Sequence, residues 1–319
     1  MAIYPSFGFY VALGILLIAV LFDMVGELPE KVHPTVWIGV VTQKLTRGLR
    51  RISFFSEKTR GAILALVLVL GSSLISYFVL DLIRIFLGVI VFVAASALIL
   101  KTTFALKTLK RFAEPVAEAL ENRDLEGARK GLQKIVRRDT QTLDEGHVVS
   151  GAVESVAESI VDGITSPLFY YGLLGVAGSV GFRAINTLDS MVAYKTPEFI
   201  ELGWMSAKLD TLANYIPARL TAVLIIVASF ILGEDWKSSL RILLRDHKRT
   251  ESVNAGWSMS AIGGALNIQL EKIGNYTLGD NTCSRSFVHV RRSIRIAEMT
   301  SYLFIVVIAL PLLAVTTFL

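Results

Sequence analysis

Three acidic side chains recur at four-residue spacing in one stretch of this sequence: Glu154, Glu158 and Asp162, within Val153-Glu154-Ser155-Val156-Ala157-Glu158-Ser159-Ile160-Val161-Asp162-Gly163. On a helix they share one face, and like charges so placed repel one another. A cation relieves that repulsion, and oxygen ligands of this kind suit magnesium. The plain alternative is a solvated acidic face. The small apolar neighbours and the apolar segment that follows favour a metal- or phosphate-linked role. Just upstream stands Arg137-Arg138-Asp139-Thr140. Paired arginines bind phosphate bidentately; the alternative is positive charge flanking a membrane.

Further polar clusters follow. One is Asn186-Thr187-Leu188-Asp189 through Tyr194-Lys195, and another runs from Lys208-Leu209-Asp210 through Asn214 to Arg219. Both adjoin apolar segments, where ionisable groups are costly and usually functional. A fourth, from His247 to Asn254-Ala255-Gly256-Trp257, is rich in small residues that let backbone approach a ligand. It lacks the spacing of a phosphate-binding P-loop. His33, before Pro34, reads as part of a turn entering a helix. The sequence offers no Ser-His-Asp, Cys-His or His-Glu-x-x-His arrangement. The single cysteine, Cys283, excludes an intrachain disulfide and reads as an incidental thiol.

The elements that must position these groups are apolar helices. Of 319 residues, 53% are hydrophobic and 18% charged, against roughly 25% charged in average soluble chains. Val67–Leu80, Ile85–Leu100 and Met299–Leu319 carry no charge. This excludes a disordered chain, a disulfide scaffold and an ordinary soluble enzyme. The fold class is an all-α integral membrane protein with about five to six transmembrane helices and helical cytoplasmic segments. Four stretches fit the roughly 20 apolar residues a span needs: Phe7–Phe22, Gly61–Leu80, Ile85–Leu106 and Met299–Leu319. Two weaker ones are Ile216–Gly233 and the glycine-rich Pro167–Ile185, which alternatively forms a buried, non-spanning helix. Its Gly175, Gly178 and Gly181 would admit a neighbouring helix. The first span carries no preceding Lys or Arg and reads as retained rather than as a secretory signal.

Residues 1–319 read as a single membrane-embedded domain, with polar, cytoplasmic segments at 107–165 and 234–298. Within the first, Phe112–Leu120 and Leu125–Val136 have helical periodicity, separated by the break and cap Asn122-Arg123-Asp124. Residues 27–60 hold seven Lys and Arg, 107–165 nine, 234–298 ten and 1–26 none. The net charge of +5 is thus explained by cytoplasmic loops of a cell-membrane protein rather than by nucleic acid. Placing those loops inside gives six crossings but leaves Asn186–Tyr215 outside. The preferred repair folds that stretch back to membrane depth; the other makes Pro167–Ile185 re-entrant.

Taken in order, these clusters resemble the adenosylcobinamide-phosphate synthase family of cobalamin biosynthesis, the CobD/CbiB type. The resemblance covers about residues 20–280. It rests on His33-Pro34-Thr35-Val36-Trp37-Ile38-Gly39, Arg138-Asp139-Thr140, Glu154-Ser155-Val156-Ala157-Glu158, Asp162-Gly163 with Pro167-Leu168-Phe169-Tyr170, Asn186 to Met191 with Tyr194-Lys195, Lys208-Leu209-Asp210 through Arg219, and Asn254-Ala255-Gly256-Trp257. The chain departs from the family pattern at Ser159, Ala193, Thr211 and Val253, where Asn, Gly, Asp and Pro are usual, and at Gly26-Glu27-Leu28.

The resemblance implies an ATP-dependent acid–amine ligase with magnesium. It would join adenosylcobyric acid, a corrinoid carboxylate, to an amino alcohol phosphate such as 1-amino-2-propanol phosphate. It also implies roles. Glu154, Glu158 and Asp162 would hold magnesium or assist the amine. Asp189 and Asp210 would be further metal or acid–base groups. Arg138, Lys195, Lys208 and Arg219 would bind phosphates, and Asn186, Asn214 and Asn254 would orient substrate. The alternatives are a membrane transporter of a corrinoid or polyanion, and a non-catalytic regulatory membrane protein. A homo-oligomer or docking of pathway enzymes is compatible with either.

Overall fold

A computed structural model of the chain describes residues 8–26, 34–50, 54–194, 196 and 199–318. The described chain is nearly all helix: α1 (Phe9–Val25), α2 (Pro34–Arg50), α3 (Glu57–Lys101), α4 (Leu106–Glu121), α5 (Leu125–Gln133), α6 (Glu145–Ile160), α7 (Ser166–Val192), α8 (Trp204–Ala213), α9 (Tyr215–Ile231), α10 (Trp236–Asp246), α11 (Ala255–Ala265), α12 (Phe287–Phe304) and α13 (Leu310–Phe318). Wider π-helical turns at Val161–Thr165 and Ile305–Ala309 follow α6 and α12. One antiparallel ribbon, β1 (Leu270–Lys272) and β2 (Tyr276–Leu278), pairs Leu270 with Leu278 and Lys272 with Tyr276.

The sequence reads as one domain; the contacts divide the chain into two compact units. Unit 1 comprises residues 1–105, 166–213 and 307–319, and unit 2 comprises 106–165 and 214–306. The two polar segments, 107–165 and 234–298, thus fall in unit 2, while α1, α3, α7 and α13 fall in unit 1.

Unit 1 is organised by two reversals. In α3, Gly88 takes φ 82° and ψ 177°, a conformation that only glycine adopts readily. Ser73 and Thr103 are thirty residues apart, about 45 Å along an unbroken helix. Yet both meet one short stretch of α7: Ser179 Oγ and Thr103 Oγ1 are 2.7 Å apart, and Gly181 abuts Ser73. The chain therefore doubles back at Gly88. The sequence places this reversal at Asp81–Arg84; instead Arg84 pairs with Asp81 at 2.7 Å on the helix, which continues through both. The returning arm, Val89–Lys101, is about 20 Å long by helical rise, shorter than the hydrocarbon core.

The second reversal is in α7 at Gly175, with φ 68° and ψ −159°. Tyr170 and Phe182 lie twelve residues apart, about 18 Å on a straight helix, yet their rings stack at 5.4 Å. Pro167–Ile185 thus folds back on itself at Gly175 instead of running straight.

By length and composition three helical stretches could cross a membrane, Glu57–Glu121, Glu145–Val192 and Phe287–Phe318, or four if α8 and α9 form one broken span. Among the described residues this count does not confirm the expected five to six spans; α1, with 17 residues, is shorter than the count requires. The outer face of α3 exposes Leu66, Leu70, Leu74, Phe78, Leu82 and Phe86, an apolar surface suited to lipid.

The end of α7 joins the cation-rich start of the chain. Leu64, Ala65, Leu68, Leu188 and Val192 form a buried cluster against Leu45, Phe199 and Leu209. Lys58 pairs with Glu201 at 3.5 Å, Arg50 lies over the Phe199 ring, and Gly61 abuts the Leu202 carbonyl. The described residues of 186–205 therefore pack beside those of 34–61, which the crossing count would set on opposite sides.

In unit 2 the expected helix pair is present. Arg123 adopts φ 59° and Asp124 caps α5, accepting from the Gly127 amide at 2.8 Å. Helices α4 and α12 are clamped by Arg291, which donates to Glu114 (2.7 Å) and Glu121 (2.8 Å).

Candidate functional site

Unit 2 gathers its polar groups on α6. Glu154 is buried, and a buried carboxylate is tolerated only when its oxygens are satisfied. Ser150, one turn earlier, donates to Oε1 at 2.6 Å, and the Tyr276 hydroxyl donates to Oε2 at 3.0 Å. Ser150 Oγ in turn accepts from the Glu271 amide at 2.7 Å, which fixes the ribbon to α6. Burial, and after it the carboxylates of Glu154 and Glu158, push the Tyr276 phenol above its ordinary range, so it remains a donor.

Arg138 supplies the charge. Its Nη2 lies 3.4 Å from Glu154 Oε2, an ion pair. Its Nε is buried and, among the described residues, reaches no hydrogen-bond acceptor, while the buried Nη2 has the Glu154 carboxylate beside it. The guanidinium lies over Gly151 of α6, where a β-carbon would sit 2.7 Å from Nη2. The loop that aims it is stapled: Thr140 Oγ1 donates to the Arg129 carbonyl at 2.9 Å, and Arg129 Nε donates to the Leu143 carbonyl at 2.7 Å. Asp162 sits in the π-helical turn that ends α6, so it leaves the strict four-residue ladder of Glu154 and Glu158. Among the described residues, no three His, Cys, Asp or Glu side chains form a group placed to hold a metal ion.

A second cluster in unit 2 is built on α9 and α11, which pack together. Arg219 is stacked 3.4 Å from the Tyr215 ring centroid and 4.8 Å from that of Trp257. Its Nη1 donates to the Tyr215 carbonyl (2.6 Å) and to Asn254 Oδ1 (3.2 Å). Stacking of this kind holds a guanidinium flat. Asn254 and Asn214 are both buried, preceding α11 and α9. Ser252 Oγ accepts from the Asn254 and Ala255 amides and shapes the loop before α11. Helix α11 also touches the first cluster, since the Tyr276 hydroxyl lies 3.7 Å from Met259 Sδ.

Asp246, fully buried, ties the end of the ribbon to α10. It accepts two hydrogen bonds from Arg245 at 2.8 Å, one from the Gly279 amide at 2.8 Å, and pairs with Arg249 at 3.2 Å. Burial alone would raise its carboxyl, but these partners outweigh burial and hold it below the usual carboxylate range.

Unit 1 carries the remaining candidates. Asn186 Oδ1 accepts from Arg183 at 3.2 Å on α7, Asp189 lies in its last turns, and Lys208 and Asp210 lie on α8, which packs on α7. Thr211, where the resembling family has Asp, donates to the Ala207 carbonyl at 2.8 Å and so serves its own helix. Lys195, His33 and the stretch from Glu27 lie outside the described residues.

The structure thus brings Arg138, Glu154 and Glu158 into one region, leaves Asp162 in the turn after α6, and puts Arg219 and Asn254 in direct contact. Sequence reasoning missed Tyr276 and Ser150. The available signal was Lys272-Ile273-Gly274-Asn275-Tyr276, a glycine- and asparagine-bearing turn between short apolar pieces.

Comparison with known proteins agrees. A family model described as CobD/Cbib protein matches residues 16–305. A probable cobalamin biosynthesis protein CobD of Methanothermobacter thermautotrophicus is 36% identical over 294 residues, covering 91% of this chain and 95% of the relative. The same description applies to a Thermoplasma acidophilum protein at 36% identity, with 96% and 99% covered. The cobalamin biosynthesis protein CobD of Dehalococcoides mccartyi is 38% identical, with 84% and 86% covered. No solved structure matches the chain. With a family match over most of its length and relatives this similar end to end, the chain belongs to the CobD/CbiB protein family.

Proposed function

We propose that this protein acts in cobalamin biosynthesis as an ATP-dependent ligase. It forms an amide between adenosylcobyric acid and an amino alcohol phosphate such as 1-amino-2-propanol phosphate, giving adenosylcobinamide phosphate. The relatives' names support the pathway; the resemblance supplies the reaction. The observation that carries the assignment here is the buried edge of Arg138. Its Nε is a desolvated donor beside Glu154, and it would meet an acceptor of phosphoryl type.

A carboxylate is a poor electrophile. In the proposed first step, its oxygen attacks the γ-phosphorus of ATP, ADP leaves, and an acyl phosphate forms. The amine nitrogen then attacks the acyl carbon, the carbon–oxygen bond breaks, and inorganic phosphate departs. Arg138 would hold the transferring phosphoryl group, kept in place by Glu154, Tyr276 and Ser150. Glu158, one turn from Glu154, would accept the amine proton. Arg219, held flat by Tyr215 and Trp257, and Asn254 would bind substrate phosphate.

Magnesium, when bound with ATP, neutralises phosphate charge; it is typically held by one or two carboxylates plus phosphate oxygens. Asp162 fits that requirement, and Glu158 would meet it only in place of its role as base; both oxygens of Glu154 already accept hydrogen bonds. The proposal places the protein in the cell membrane with its main loops cytoplasmic, where ATP is available.

The test is direct. Detergent-purified protein receives adenosylcobyric acid, aminopropanol phosphate, ATP and magnesium, and mass spectrometry seeks the amide. Product that vanishes in Glu158→Gln supports the proposal. Absence of product from folded protein, with other amino alcohol phosphates also tried, overturns it. Substrate-driven flux in vesicles would then favour the transport alternative.

A further inference from the structure

Helix α10 has two unlike faces. Ser238, Ser239, Ile242, Leu243 and Asp246 point inward and are buried. Ser239 Oγ donates to the Ala261 carbonyl of α11 at 2.8 Å. The other face carries Trp236, Leu240 and Leu244, spaced by four and therefore in one stripe, all exposed, Leu244 at 65%. A water-facing helix does not ordinarily show three large apolar side chains in a row on its outside. Immediately beside this stripe, again at four-residue spacing, lie Lys237 and Arg241, with Lys248 on the same side just past the helix end. Lys237 and Lys248 are exposed. Arg241 is paired with Asp280 at 3.0 Å.

The stripe does not stop at α10. Phe230, Ile231 and Leu232 at the end of α9 are exposed, Phe230 at 65%, and the Trp236 ring meets Phe230 edge-on at 6.0 Å. Lys237 Nζ lies 5.7 Å from the centroid of the Trp236 ring. The apolar outer surface of α9, which includes Ile216, Val223 and Val227, thus runs into an aromatic, and the aromatic is bordered by cations. Tryptophan and lysine in that order mark the boundary between hydrocarbon and headgroups.

We propose that α10 is an interfacial helix. It lies along the bilayer surface, inserts Trp236, Leu240 and Leu244 among acyl chains, and collects anionic phospholipid headgroups on Lys237 and Lys248. The occupant is lipid rather than a second copy of the chain because the apolar stripe continues that of α9, and the exposed Lys237 and Lys248 beside it would repel their counterparts in a second copy. An apolar face with a basic edge is the composition by which helices bind anionic interfaces. The inference concerns where unit 2 meets lipid, and it stands whether or not the ligase reading holds.

The test uses the full chain reconstituted in equal-mole phosphatidylcholine and phosphatidylglycerol, with bromine on the acyl chains of one lipid at a time. Bromine quenches tryptophan on contact. The difference between wild type and Trp236→Phe isolates Trp236 from the other three tryptophans. The expected result is quenching of the Trp236 component by either brominated lipid, stronger with brominated phosphatidylglycerol. In Lys237→Gln/Lys248→Gln, and in high salt, that preference should fall toward equality, with each lysine accounting for up to about five-fold. Circular dichroism checks that the variants fold. A Trp236 component untouched by both brominated lipids would overturn the proposal. So would Trp236-dependent pairing of copies, shown by loss of a dimer in Trp236→Phe. Equal quenching by the two lipids, unaffected by the lysine substitutions, would overturn the headgroup assignment.

Discussion

In unit 1 helices pack closely on glycine, serine and threonine; unit 2 has such contacts too and adds arginine–carboxylate bridges. The first kind of contact is seen where Gly172 abuts Leu312 and Ala309, and where Ser179 and Thr103 share a hydrogen bond. The second is seen where Arg291 of α12 bridges Glu114 and Glu121 of α4, and where Arg292 pairs with Glu234. Among lipid tails apolar side chains gain nothing by leaving the solvent, so close approach and short hydrogen bonds do the holding. Where water reaches the surface, long charged side chains can be satisfied on both ends. The difference teaches where chemistry can be placed. A phosphoryl-binding arginine needs a region already organised around charge, and Arg138 stands in unit 2.

The largest expected effect tests that placement. Arg138→Met leaves Glu154 buried without its cation, which costs about 3–5 kcal/mol of stability. It should also lower amide formation by roughly 10²–10³-fold. Arg138→Met/Glu154→Leu removes both charges and should recover much of the melting temperature in detergent while activity stays lost. Recovery of activity along with stability would make the pair purely structural and break the contrast between the units.

The ribbon anchor comes next. Asp246→Asn weakens the acceptor of Arg245, Arg249 and the Gly279 amide, for a loss of about 1.5–3 kcal/mol. Because the folded carboxyl titrates below its ordinary value of about 3.9, its contribution is fully present above that value. It is lost as pH falls through the lower folded value. Wild type should therefore show an acid-side loss of stability below about pH 4 that Asp246→Asn lacks. Parallel acid titration curves for the two proteins would contradict this.

In unit 1 the expected effect is smaller and has a different origin. A β-carbon at Gly172 would lie 2.9 Å from Leu312 Cβ and 3.1 Å from the Ala309 carbonyl. Overpacking of this kind costs about 1–3 kcal/mol, while replacing glycine by alanine in a helix returns up to about 1 kcal/mol. Gly172→Ala should be net destabilising by about 1 kcal/mol, read as a small fall in melting temperature. A rise would show that α13 yields and that close approach there is not required.

Much of this was readable in the sequence, and the failures have physical causes. Asn122-Arg123-Asp124 announced its helix break because a left-handed residue and a capping carboxylate are local devices. Arg138 and Glu154 could be named because charge beside apolar sequence is conspicuous. Asp81 and Arg84 misled because two charges in an apolar run look like a turn, whereas at three-residue spacing they satisfy each other on the helix. The reversals lie instead at Gly88 and Gly175, and nothing local separates those glycines from others that merely admit a neighbour. Tyr276 was invisible because its partner is 122 residues away and the ribbon carrying it has three residues per strand.

The same long-range blindness lies behind the side that charge counting gives residues 186–215, and here a nearly silent substitution decides. Counting charges puts the stretch opposite the cation-rich residues 27–60; the Lys58–Glu201 pair and the Arg50–Phe199 contact put it beside them. Ile200 is exposed, so Ile200→Cys in a Cys283→Ser background should leave stability and activity unchanged while adding a reachable thiol. In intact cells a membrane-impermeant maleimide should fail to label it, and labelling should be complete once the membrane is opened. A cysteine introduced in place of Lys44, on α2, should behave identically, because the two positions lie on one side. Labelling of residue 200 from outside, with residue 44 protected, would separate the two ends of unit 1 and restore the six-crossing topology.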